Sequence, residues 1–365
     1  MALSSSLRIL LLSGICLLTW IAVGNTPAQS ETAVNVAEKS VSNNYVIHKN
    51  ILYKIEQKKL VQISSLEYDP YLSSDDYIVT LSETIHSGAA SLPGKGTYNH
   101  GKAINIHKIE KENKLKLYRK IDLPTDYTVK TTALYKGILF VTGNLGENIF
   151  GFYDTRSERP QFVPLRVPAE VKQKMFDDLI VDGNTLLAVD NVVWPKWLVL
   201  FDISRPKDPK TLKVVELMEG VNEHIEKGVV GNNYLVLFAE NSTKGGRRQA
   251  LQIYSKSENY KPLSEITLWR WSRQSEEETG QHSTPVMSFM DDIFILSGYG
   301  PGVGVIDCSS KITDKSVLKP LLYTNEKKRS VPVVEAVVLP NNMIAIKTEK
   351  TAEFFIVNKN SLSGW

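Results

Sequence analysis

The chain has 365 residues, of which 42% are hydrophobic and 23% charged, an ordinary globular composition with room for one large domain or two. Its net charge of +3 excludes a global electrostatic drive toward nucleic acid, because such binding needs a concentrated basic face rather than a slight excess.

At the N-terminus, Arg8 precedes the apolar run Ile9 to Val23, which is short for a membrane span, and Thr26-Pro27-Ala28 offers small residues for a secretory peptidase. The expected organisation is a signal peptide over residues 1–28 and one domain over 29–365, secreted or placed in the periplasm or at the cell surface, with no stable membrane span after cleavage. Cys16 would leave with the signal, so Cys308 would remain as a lone, buried structural thiol with no disulfide partner.

From there on, pairs of apolar runs recur about every fifty residues, closing at Ile55, His107, Asp154, Asp202, Ser255, Asp307 and Asn358. That period suits a β-propeller blade, a small sheet that buries both its faces only when neighbours stack on them. The expected fold is therefore all-β, with seven four-stranded blades. The first pair, Tyr45-Val46-Ile47 with Ile51-Leu52-Tyr53, is compressed. In the second, Tyr77 to Leu81 and Ala103 to Ile106 flank a long loop.

The fourth unit is the clearest. Leu179 to Val181, the turn Asp182-Gly183-Asn184, Thr185 to Val189, Trp197 to Ile203 and Leu212 to Leu217 read as four strands, apolar on both faces in the middle and alternating at the outer edge. The last unit stops without a clear fourth strand. Thr32 to Val36 is expected to supply it, closing the ring and removing open sheet edges.

The stretch Leu198-Val199-Leu200-Phe201-Asp202-Ile203-Ser204-Arg205-Pro206-Lys207-Asp208-Pro209 resembles the LVIVD repeat of exported bacterial and archaeal propellers. Fainter copies run from Gly151 to Pro160 and from Val305 to Asp307. The resemblance implies a propeller and an extracytoplasmic location, and it brings no catalytic residues. The repeat's Asp is expected to accept backbone N–H bonds in the following turn. The doublets Asp75-Asp76, Asp177-Asp178 and Asp291-Asp292 each precede an apolar strand, and the same local role is expected of them.

Ligand residues are expected in the loops between second and third strands and between blades. Those loops carry Tyr98, Trp194, Arg247, Trp269, Trp271 and Tyr299, aromatic faces and cations suited to a protein or polysaccharide. No Walker loop, zinc-protease helix or nucleophile elbow occurs, and Gly298 to Gly304 mimics a nucleotide fingerprint only between strands. The leading expectation is a non-enzymatic binding protein without cofactor. The alternative is a hydrolase or lyase using His86, His100, His224 or His282 as acid or base. No metal site is expected, because a long loop separates His86 from His100 and no adjacent acid completes a set.

Overall fold

The computed structural model describes residues 44–66, 68–72, 77–82, 85–86, 99–100, 103–123, 127–145, 147–171, 176–190, 195–218, 223–243, 246–268, 285–297, 302–310, 312–313, 316–341 and 343–364. These form seven antiparallel sheets arranged as a ring, a β-propeller. Blade 4 shows the plan: Asp178–Asp182 lies innermost, followed outward by Thr185–Val189, Trp197–Asp202 and Lys210–Glu216. Blades 2 (Tyr68–Leu72 to Leu115–Asp122), 3 (Tyr127–Tyr135 to Phe162–Pro164), 5 (Glu223–Val230 to Lys261–Thr267) and 6 (Val286–Met290 to Lys319–Pro320) repeat it.

The alternation of side chains explains why the units assemble. Leu186, Ala188, Val199 and Phe201 of blade 4 pack with Phe140, Phe150 and Phe152 of blade 3. The intervening residues Leu187, Val189, Leu198 and Leu200 pack instead with Ile225, Leu235, Leu237 and Tyr254 of blade 5. A period of two with both sets apolar therefore forces a neighbour onto each face. Seven apolar clusters result, one between each pair of adjacent blades, and the seventh joins Val46, Tyr53 and Leu60 of blade 1 to Val337, Leu339, Ala345 and Phe354 of blade 7. That last cluster closes the ring.

Blade 1 has three described strands, Tyr45–His48, Ile51–Ile55 and Leu60–Ser65. The third of them leads within a few residues into Tyr68–Leu72, the innermost strand of blade 2, as only an outermost strand does elsewhere among the described blades. Its ladder with Ile51–Ile55 also carries a bulge at Leu52/Tyr53. The third-to-fourth ladders of blades 2, 4 and 5 are bulged at Ile106/His107, Leu200/Phe201 and Ile253/Tyr254. The three strands thus occupy the second, third and fourth places of their blade, which explains the compressed sequence pattern. The expected closing strand, Thr32 to Val36, lies outside the described residues.

Blade 7 is built from Ser330–Leu339, Met343–Thr348 and Phe355–Asn358. On the other side of its inner strand lie Leu322–Thr324 and then Leu362–Ser363. The C-terminal strand therefore pairs with Leu322–Thr324 and not with the blade's third strand. Lys59 instead bridges to Phe355, and Ile356 N–H donates to the Lys58 carbonyl at 2.9 Å, so the turn of blade 1 partly covers that edge.

The acid that marks three of the repeats has the expected local role, and an asparagine shares it in a fourth. Asp154, Asp202 and Asp307 accept the N–H two residues on, from Arg156, Ser204 and Ser309 at 3.1, 2.8 and 2.9 Å, and Asn358 does the same for Asn360 at 3.0 Å. These bonds hold the turn between third and fourth strands. Cross-blade polar contacts add to them, with Lys207 on Asp154 at 2.6 Å, Lys256 on Asp182 at 2.6 Å and Lys359 on Asp291 at 3.0 Å.

Candidate functional site

Because every strand reverses direction, the connections between second and third strands and those between blades emerge at one end of the ring. The opposite end holds short turns such as Lys136-Gly137 and Gly183-Asn184, whose left-handed residues Lys136, Gly137 and Gly183 suit tight hairpins. The described strand ends Ser82 and Ala103, Pro164 and Asp178, Val189 and Trp197, and Thr267 and Val286 all lie at the loop-bearing end. In blade 5 the strands themselves extend it: Tyr234–Thr243 and Gly246–Ser255 run ten residues each.

The structure places several of the expected residues at this end through their backbones. Ile85–His86 and Asn99–His100 form a two-stranded hairpin with His86 opposite Asn99 and His100 opposite Ile85. These two short strands set the backbones of His86 and His100 at diagonal positions of one ladder. His224 is the second residue of the inner strand of blade 5, opposite Glu240, and Arg247 stands opposite Ser242 in the same blade. Tyr98, Trp194, Trp269, Trp271, His282 and Tyr299 lie outside the described residues.

Under these connections lies a polar layer that sequence reasoning missed in part. Lys130 sits at a bulge of blade 3's inner strand and forms an ion pair with Asp177, which leads into blade 4. Burial lowers the Lys130 amine to about 8, while Asp190 and Asp178 pull it upward. Asp178, almost wholly buried, accepts the N–H of Leu179 at 3.0 Å through one carboxylate oxygen. Its other oxygen accepts the N–H of Gly228, on the inner strand of blade 5, at 2.7 Å. Thr142 of blade 3 takes the Phe176 N–H at 2.8 Å, and Ser297 of blade 6 takes the Ala336 N–H at 3.0 Å.

These contacts have a common cause. Apart from residues 330–332 of blade 7, which pair with Leu322–Thr324, an inner strand has no ladder partner on its free side, so its outward N–H groups need acceptors from elsewhere, and side chains of the preceding blade supply some of them. At Gly228 a Cβ atom would stand 2.5 Å from Ile180 Cδ1 and 2.7 Å from Leu237 Cδ2, so glycine is what allows the close approach. Buried Gln249 donates to half-buried Glu240 at 3.1 Å between second and third strands of blade 5. The layer fixes the strand ends from which the connections spring, and its carboxylates are engaged with Lys130 and backbone donors.

A second cluster lies at the seam between blades 7 and 1. His48 Nε2 contacts Glu335 Oε1 at 2.9 Å, and Lys49 and Lys347 approach the same carboxylate at 2.5 and 3.3 Å. Burial raises the Glu335 carboxyl, but hydrogen bonds from His48 and Lys49 outweigh it and hold the group well below the usual carboxylate range. Among the described residues no cluster of metal-ligating side chains occurs, and no helix is long and apolar enough to cross a membrane. Cys308 is buried, and burial pushes its thiol up to about 12, as befits a structural residue.

No protein-family profile and no curated protein matches the chain. Solved structures do match at low identity. Prolyl oligopeptidase B from Galerina marginata is 10% identical with a TM-score of 0.40, the match covering 85% of this chain and 44% of that one. Oligopeptidase B from Trypanosoma brucei is 11% identical with a TM-score of 0.32, covering 87% and 54%. A protein solved in complex with a coiled coil is 11% identical with a TM-score of 0.40, covering 91% and 99%. The chain thus spans about half the length of these two peptidases or less.

Proposed function

We propose that this propeller is an exported binding protein that holds a protein or polysaccharide against its loop-bearing end and catalyses no reaction there. The observation that carries the reading is the place of the two longest connections, between His86 and Asn99 and between Thr267 and Val286, which leave from the same end of the ring over a polar layer that fixes the strand ends. Rigid strands presenting variable connections are the usual geometry of a recognition surface. The composition of those connections, with Tyr98, Trp194, Trp269, Trp271, Tyr299 and Arg247, favours broad stacking contacts. The apolar run Ile9 to Val23 and the resemblance of Leu198 to Pro209 to an exported repeat support the location.

The test uses two variants, one with 87–98 and one with 269–284 replaced by short Gly-Ser segments, compared with the wild type against a polysaccharide panel and by affinity capture of proteins. At least one partner should lose affinity by about tenfold or more while the unfolding midpoint holds. Binding indifferent to both replacements, or turnover of a glycan or peptide abolished by His86→Ala or His100→Ala, would overturn the proposal.

A further inference from the structure

The seam between blades 7 and 1 differs from the other junctions because the described chain does not run directly from one blade to the other. Side-chain contacts join the Ile356-to-Lys58 backbone bond in holding it, and one of those side chains is a buried histidine. His48 is 3% exposed, and its Nε2 is engaged by Glu335 while its Nδ1 is buried without a hydrogen-bond partner. The Phe354 ring and the imidazole meet in a T-shaped pair, 5.5 Å between centroids with an interplanar angle of 87°.

The charged and titratable groups facing it come from every element around it. Glu335 belongs to the inner strand of blade 7 and Lys347 to its second strand, Lys49 follows His48 directly, and Tyr53 lies on the next strand of blade 1, its ring 5.8 Å from Phe354. Lys347 also lies over the Phe354 ring at 4.3 Å. A neutral imidazole donating through Nε2 fits this site. A second N–H on Nδ1 would meet no acceptor, with two lysine cations close by.

We propose that His48 and Glu335 form an acid-sensitive latch, keeping the seam shut at neutral pH and releasing it when His48 takes up a proton. Burial lowers the His48 pKa, outweighing the Glu335 hydrogen bond, which pulls it upward. An opened seam exposes His48 to water and restores its ordinary proton affinity near 6.5, so the open form binds the proton more tightly. The closed form is then fully favoured above that value and loses ground as pH falls below it. Glu335, held low, adds its own loss only below the usual carboxylate range near 4.5. Between these two values His48 acts alone, and seam opening rises by at most about tenfold per pH unit.

Backbone hydrogen exchange tests this between pH 7.5 and 5, after correction for intrinsic rates. In the wild type, Tyr45–His48 and Met343–Thr348 should lose protection on acidification while Thr185–Val189 of blade 4 keeps it. His48→Gln, which retains a donor toward Glu335, should remove that selective response and leave protection at pH 7.5 intact. An unchanged acid response in the variant, or none in the wild type, overturns the latch. If His48→Gln fails to fold, an NMR titration of His48 in the wild type decides: a pKa below the ordinary histidine range supports the latch, and one at or above it overturns it.

Discussion

Phe201→Ala is expected to lower the unfolding free energy by about 4 kcal/mol, the middle of the range for truncating a core phenylalanine. Phe201 is 1% exposed and packs at 5.3 Å from the Phe150 ring, across the cluster that joins blades 3 and 4. Neither strand can move to fill the void, because the opposite face of blade 4 is committed to blade 5. The loss therefore includes a cavity penalty as well as the lost transfer free energy. Chemical denaturation followed by tryptophan fluorescence should show the shift, whereas Val163→Ala, on an outer strand at 43% exposure, should change stability by less than about 0.5 kcal/mol. A Phe201→Ala effect below about 1 kcal/mol would contradict the packing described.

Asp178→Ala is expected to cost about 3 kcal/mol, nearly as much as the core truncation although it removes a polar group. The substitution leaves the Gly228 N–H without its acceptor and takes a carboxylate from beside the buried Lys130 amine. Asp178→Asn retains one acceptor oxygen for Gly228 and loses the second acceptor and the charge, so it should cost roughly half as much. The ordering Ala worse than Asn is the informative result. Equal costs would show that the carboxylate's place between blades 4 and 5 contributes little.

Much of the fold was legible because the period-two alternation of blade 4 is apolar on both faces, a pattern that only stacked sheets satisfy. The turns were legible for a related reason: Asp202, Asp307 and Asn358 act within two residues of themselves, so their bonds follow from local spacing. Blade 1 was harder, since its second and third strands meet at Lys49-Asn50, a two-residue turn with φ of 48° and 58°, and the strand that would stand innermost is not among the described residues. The His48–Glu335 contact could not be read locally, because ring closure alone brings together residues 287 positions apart. Lys130 was missed because it stands at a bulge, where alternation stops reporting which way a side chain faces. Asp177-Asp178 was read as a local strand-start device, and Asp178 does accept the Leu179 N–H, but its bond to Gly228 belongs to another blade.

The central claim is a closed seven-bladed ring whose first and last blades meet at a seam held by side-chain packing and the Ile356-to-Lys58 backbone bond. Native-state hydrogen exchange at neutral pH across a series of low denaturant concentrations tests it most directly. The seam strands Tyr45–His48, Ile51–Ile55 and Met343–Thr348 should open at lower denaturant than Thr185–Val189 and Trp197–Asp202, which are flanked on both sides by blades connected along the chain. Loss of protection in blade 4 before the seam, or in all strands at once, would contradict that account of how the ring is held.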